Sequence, residues 1–312
     1  MSTTAALTNR MSENSVLDRF MRHRLAVVSA AILLVLIVLA LLAPLIETML
    51  GIDADAVDLL ARYSPPSAAH PLGTDALGRD VLVRLLYGGR VSLFVGLTAT
   101  ITAAIIGTAI GLIAGYAGGR TDAFVMRVTD GVIALPVLPL LIVLAAVDLG
   151  KLGLPESIVS AENVSLYRII AIVALVGWTT VARLVRASTL SLKTRPFIMA
   201  ARAQGAGSAR IMFRHILPNL ASPIIVATTL SVGNVILLES VLSFLGLGIQ
   251  PPLPSWGNLL TGAQETIWEA PGLALYPGLL IFVTVIAFNF IGDGLQDALD
   301  PRARDRRAAE RQ

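Results

Sequence analysis

Two stretches of this chain, Leu25–Ile46 and Val91–Ala117, contain no Asp, Glu, Lys or Arg. About 20 apolar residues in a helix cross the hydrocarbon core of a bilayer, so runs of this length leave few folds open. The rest of the composition agrees. Of the 312 residues, 55% are hydrophobic and 14% charged, against about 45–50% and about 25% in soluble domains. There is no cysteine, which excludes a disulfide-stapled secreted domain. A disordered chain, a collagen-like fibre and most soluble enzymes are excluded by the apolar excess. A transmembrane barrel is excluded because its strands alternate in and out at period two, whereas these runs are continuous. The sequence predicts an all-α, polytopic membrane protein.

Six spans are predicted: Leu25–Ile46, Val91–Ala117, Gly131–Val147 with Pro136 and Pro139 inside it, Ile169–Ala182, Ser222–Leu245 and Leu273–Ile291. The fourth is short and borrows residues beyond Arg168 or Arg183. The first run follows Arg19, Arg22 and Arg24 as a signal peptide would, but it exceeds the about 7–15 apolar residues of such a peptide. It reads as a retained span.

Charge placement orients the bundle. The segment Arg183–Ala221 holds Arg183, Arg186, Lys193, Arg195, Arg202, Arg210 and Arg214 and no acid, whereas Gly246–Gly272 holds Glu265 and Glu269 and no base. The two flank the fifth span, and the basic side is cytoplasmic by the positive-inside rule. Counting spans in both directions puts both termini inside and the acidic stretch Glu47–Asp58 outside. Residues 1–24 form a cytoplasmic segment, 25–291 the six-span domain with a cytoplasmic loop at 195–220, and 292–312 a cytoplasmic tail. The net charge of +3 serves topology. No nucleic-acid module accompanies it.

Lipid tails are as apolar as leucine, so membrane helices associate through close backbone approach. Ala99, Ala103, Gly107, Gly111, Gly115 and Gly119 recur every four residues. This ladder predicts a tight crossing of the second span against a helix of this chain or of a partner.

The basic loop is the most informative segment. Pro196 suits the first turn of a helix. Gly205-Ala206-Gly207 breaks that helix, and a second short helix ends at Pro218, because proline cannot continue an established one. In register along it stand Ala200, Ala201, three residues, Gly205, nine residues, His215, one residue, Leu217 and Pro218. This resembles the Glu-Ala-Ala signature of the permease subunits of ABC importers, with Met199 in the Glu position and His215 in the Ile position. Arg214–Asn219 resembles the dipeptide/oligopeptide branch, as do Leu72–Leu82 followed by Leu85–Gly88, Gly246–Gly257 and Gly292–Pro301 in its C-type permease.

The resemblance covers about residues 20–302. It implies a type I importer permease fold in the bacterial cytoplasmic membrane, N-in and C-in, with a cytoplasmic coupling helix. It further implies a second permease in a heterodimer, two ATPase subunits and an extracytoplasmic binding protein, with di- or oligopeptides as cargo. Nickel, glutathione or sugar are the alternatives within the branch. ATP and Mg would be bound by the ATPase chains. This chain would carry no catalytic residue, metal or cofactor, and it has no phosphate-binding Gly-x-x-x-x-Gly-Lys-[Ser/Thr]; its Gly150-Lys151 pair is followed by Leu152.

The residues of interest follow. Ala200, Ala201, Gly205, Ala206, Gly207, Leu217 and Pro218 are the candidates for ATPase coupling. Arg202, Arg210, Arg214 and His215 join them, although the arginines are explained equally by topology. Glu239 is the one charged side chain inside a predicted span. A carboxylate at mid-membrane costs at least about 2.5 kcal/mol, so it either faces the translocation path or sits near the outer headgroups, hydrogen-bonded to a neighbour. Asn234 and Asn289 either line the path or bond between helices. Asp75, Arg79, Asp80 and Arg84 read as a solvated face with charge pairs four residues apart, with a binding-protein contact left open. Gln250, Pro251, Pro252, Pro254 and Trp256 form a stiff outer loop that folds toward the mouth or anchors an aromatic at the interface. A secondary transporter or channel is the distant rival, but no internal repeat with broken helices is present.

Overall fold

In hydrocarbon every backbone N–H and C=O must find its partner within the chain, and the computed structural model meets this demand with helices. It describes residues 16–299 except 152, 154 and 162. The first fifteen residues, Leu152, Asp300, Pro301 and the arginine-rich end of the predicted tail lie outside the described residues. No strand forms among the described residues; a single bridge joins Thr74 and Asp80.

The elements are α1 (Val16–Arg22), α2 (Arg24–Leu41), α3 (Ala43–Leu50), α4 (Val81–Ala117), α5 (Gly119–Ala134), α6 (Val137–Ala145), α7 (Val164–Leu192), α8 (Pro196–Ala203), α9 (Ser208–Phe244) and α10 (Gly272–Leu299). Five of these, α2, α4, α7, α9 and α10, are long and apolar enough to cross a membrane, and α5 with α6 forms a sixth candidate.

Several boundaries differ from the sequence reading, each for a local reason. The first run divides at Leu42, because Pro44 starts α3 within its first two positions. The second helix begins ten residues before Val91, at Val81, where the Asp80 carboxylate caps it by accepting from the Val83 N–H at 2.8 Å. The third span is no straight rod: α5 and α6 meet at 87°. Leu135 precedes Pro136 and takes the extended backbone that proline imposes on its neighbour. The fourth helix extends past both Arg168 and Arg183. The second helix of the basic loop does not stop at Pro218. A π-helical turn at Ile211–Ile216 precedes that proline, and the helix then continues as the fifth span. Likewise α10 passes through residue 292 without a break.

The glycine ladder has its partner inside the chain. A Cβ on Gly107 would lie 2.5 Å from the Trp178 carbonyl oxygen, one on Gly111 2.9 Å from Val185 Cβ, and one on Gly115 2.8 Å from Thr189 Cβ. The crossing of α4 with α7 is therefore backbone against backbone. Gly119 falls beyond the end of α4, where a Cβ would meet nothing. Around this crossing three apolar clusters form. One joins α2, α4, α9 and α10, one joins α4, α6, α7 and α9, and the third seats α8 beneath α4, α7 and α9.

Gly107→Ala or Gly111→Ala is expected to destabilise the protein by about 1–3 kcal/mol, the usual cost of overpacking. Gly278→Ala, on α10 in open space, should leave thermal unfolding in detergent unchanged or slightly raised.

Candidate functional site

At one end of the bundle α8 stands apart from the spans. Pro196 starts it and Gly205 ends it, in a left-handed conformation at φ +80°. Ile198 is fully buried and packs with Ile211, Ile216 and Leu220 of α9 and Val181 and Val185 of α7. Its neighbours Phe197, Met199 and Ala200 are exposed, and so is Phe213 on α9. Beside them Ala201, Gln204, Ala206, Arg210, Arg214 and His215 line a cleft of about 410 Å³ with no acidic residue. The structure thus brings together most of the loop residues singled out from the sequence. Leu217 is half-buried and Pro218 exposed on α9. Arg202 turns away from the cleft, its guanidinium 5.9 Å from the centre of the Tyr116 ring.

The end of α7 that leads into α8 is tied to the main crossing. Lys193 Nζ donates to the Gly115 carbonyl at 2.9 Å, placing a cation at the C-terminal end of α4 where the helix dipole favours it. Arg186 grips Asp122 of α5 with Nε at 2.5 Å and Nη2 at 2.6 Å, and Arg183 pairs with Asp130 at 2.5 Å. Those two arginines are helical and neutralised, not loop cations as the charge count assumed. Sequence reasoning missed both pairs, since their partners are more than fifty positions away.

The opposite end is built from the 51–80 connector and the 246–262 loop. Asp75, Arg79, Asp80 and Arg84 are not a solvated face: Asp80 is 1% and Arg84 3% exposed. Asp75 takes Arg79 Nη2 at 2.8 Å, Arg84 Nη1 reaches Asp55 at 2.9 Å, and the Asp80 carboxylate accepts from His70 Nδ1 at 3.1 Å. The network folds the connector over the start of α4. Trp256 is no interfacial anchor either. It is 2% exposed, lies against Gly88 and Gly89, and donates its indole N–H to the Leu85 carbonyl at 3.0 Å. Pro254 is buried as well, while Gln250, Pro251 and Pro252 remain exposed.

Glu239 is fully buried and accepts from Ser243 at 2.7 Å and Ser92 at 3.2 Å. Asn234 instead lines a cavity of about 270 Å³ with Thr100, Thr179, Thr180, Ser231 and apolar side chains of α5, α6 and α7. Asn289 is exposed and donates to the Val285 carbonyl of its own helix at 3.0 Å. The three polar residues of the apolar spans therefore do not share one surface.

A cavity bounded by a bent helix, a bundle crossed at glycines and a separate helix seated at one end fit a membrane transport subunit. The chain belongs to the family described as binding-protein-dependent transport system inner membrane components, which it matches over residues 107–305. Residues 14–66 match the N-terminal transmembrane domain of oligopeptide transport permease C. The chain is 41% identical over 283 residues to the dipeptide transport system permease protein DppC of Alkalihalophilus pseudofirmus, covering 91% of this chain and 88% of that protein. It is 38% identical over 286 residues to the oligopeptide transport system permease protein OppC of Bacillus subtilis (92% and 88% covered). With the glutathione transport system permease protein GsiD of Pectobacterium atrosepticum it shares 40% over 287 residues (92% and 90%).

The Arg186–Asp122 pair should show a coupling of about 1 kcal/mol in a double-mutant cycle of alanine variants, at the upper end for partly exposed pairs. Thermal unfolding in detergent should show that coupling shrink as salt is raised.

Proposed function

We propose that this chain is the C-type permease subunit of an ATP-driven importer of di- and oligopeptides in the bacterial cytoplasmic membrane. The observation that carries the reading is α8: a short helix outside the spans, pinned by one buried isoleucine and presenting small, apolar and basic groups outward. A helix with no further partner among the described residues, seated beneath the crossing of the long helices, is suited to pass a push from a separate motor. The motor is a pair of ATPase subunits that carry ATP and Mg. Residues 195–220 dock on one of them, with Ala200, Ala201, Gly205, Ala206 and Gly207 admitting close approach and Arg202, Arg210, Arg214 and His215 at its edge. A second permease completes the membrane part, and an extracytoplasmic binding protein delivers the peptide.

Both termini lie inside. Lys193, Arg195, Arg202, Arg210 and Arg214 gather at the α8 end, which supports a cytoplasmic placement even with Arg183 and Arg186 set aside. The polar wall of the cavity, with Asn234, Thr179 and Thr180, is this subunit's share of the path. Glu239, buried from that cavity, is not given a path role, and exposed Asn289 faces the second permease. Peptide is preferred as cargo because the dipeptide and oligopeptide permeases above are matched over nine-tenths of the chain. Glutathione is the second reading on the strength of the third relative.

Gly205 owes its identity to a left-handed backbone, so a substitution there mixes strain with docking. Ala200 is exposed on a regular helix and is the cleaner test. Ala200→Trp should leave the chain in the membrane at normal levels, abolish co-purification of the ATPase subunits and lower ATP-dependent peptide uptake at least tenfold. Normal uptake would remove the coupling role.

A further inference from the structure

Glu239 sits near the end of α9, at the end of the bundle opposite α8, and its surroundings do more than satisfy it. Of the four serines around the carboxylate, Ser92, Ser240, Ser243 and Ser255, two also accept a backbone N–H from the 246–262 loop. Ser243 Oγ donates to Oε1 at 2.7 Å and accepts from Ile249 N at 3.0 Å, and Ser92 Oγ donates to Oε2 at 3.2 Å and accepts from Trp256 N at 3.1 Å. A hydroxyl has one proton and two lone pairs, and each of the two carboxyl oxygens here accepts one such proton. With one carboxylate drawing both protons inward, both hydroxyls are left to receive the loop.

The loop between these two points is braced by Asn258. Its Oδ1 accepts from Ser255 N at 2.9 Å, and its Nδ2 donates to the Leu253 and Ile249 carbonyls at 2.7 and 3.3 Å. The fit is close. A Cβ on Gly248 would lie 2.5 Å from Ser243 Cα, and one on Gly257 2.5 Å from Ser240 Cα. Only Gln250, Pro251 and Pro252 are left exposed between the two anchor points.

We propose that Glu239 is a positioning residue: one buried carboxylate, through Ser92 and Ser243, latches both ends of the 249–256 loop and holds its exposed tip preformed for the arriving binding protein. The docking half rests on the importer reading; the latch does not.

The chain has no cysteine, so a single introduced thiol is its only one. Buried Pro254→Cys reports the Trp256 end, Ile249→Cys the other end, and Thr189→Cys, buried at the α4–α7 crossing, reports general loosening. Maleimide labelling of the full-length chain in its native membrane, read as a mass shift of this chain, should find all three protected. E239Q, which offers one acceptor and one donor group where the carboxylate offers two acceptors, should speed labelling at Pro254→Cys or Ile249→Cys at least tenfold. S92A should open Pro254→Cys alone, S243A should open Ile249→Cys alone, and Thr189→Cys should stay closed throughout. Protection of both loop reporters in E239Q, or opening of Thr189→Cys with them, overturns the latch. In transport assays E239Q should raise the apparent KM for loaded binding protein about tenfold with a much smaller change in kcat. Loop release with KM unchanged overturns the docking half. Absence of ATP-driven uptake by the unsubstituted complex would strike the importer reading and leave the latch standing.

Discussion

The structure depends on one contact, the approach of the α4 backbone to α7 at Gly107, Gly111 and Gly115. In lipid no hydrophobic force distinguishes a neighbouring helix from an acyl chain, so association relies on how closely the backbones come. At this crossing a methyl group is already too large. The neighbouring elements are positioned against that fixed pair. Lys193 reaches back to the Gly115 carbonyl, Arg186 holds the start of the bent α5–α6 unit, and the cluster that buries Ile198 of α8 joins residues of both helices to the start of α9. A displacement of α8 therefore has a stiff route into the bundle, through packed side chains and a salt-bridged helix end.

The same helices serve different chemistry at their two ends. At the α8 end the surface is small, apolar and basic, with the anions of α5 already taken up by Arg183 and Arg186. At the other end, acids and bases are buried together over the start of α4, and a carboxylate holds a loop through two serines. One end is open to a partner while the other is locked by internal bonds. That division suits a subunit that is pushed from one side and presents a preformed face on the other.

Much of this was legible in the residues. The apolar runs marked the helices, the four-residue small-side-chain ladder marked the crossing, and the Ala200–Pro218 spacing marked α8 and its glycine break. What was not legible came from pairings distant in the chain. Ser92 is an unremarkable serine in an apolar run until Glu239 lies beside it, 147 positions away. Arg186 looked like a loop cation because Asp122 is 64 positions earlier. Asp75, Asp80 and Arg84 looked solvated because charge density alone does not reveal that the connector folds back to cover them. Pro218 looked like a stop because its local rule is sound for a regular α-helix. The π turn before it is a tertiary accommodation that no local rule foresees.

The central claim is that α8 takes the motion of a separate ATPase into the crossed helices. The most direct measurement places a single cysteine at exposed Met199 of this otherwise cysteine-free chain and tests for disulfide cross-linking to cysteines engineered around the ATPase surface. The account predicts efficient cross-linking to one ATPase subunit at one confined spot, with the partner position changing between nucleotide-free and ATP-bound complexes. Failure to cross-link to either ATPase subunit in any nucleotide state, in a complex that still transports, would contradict it.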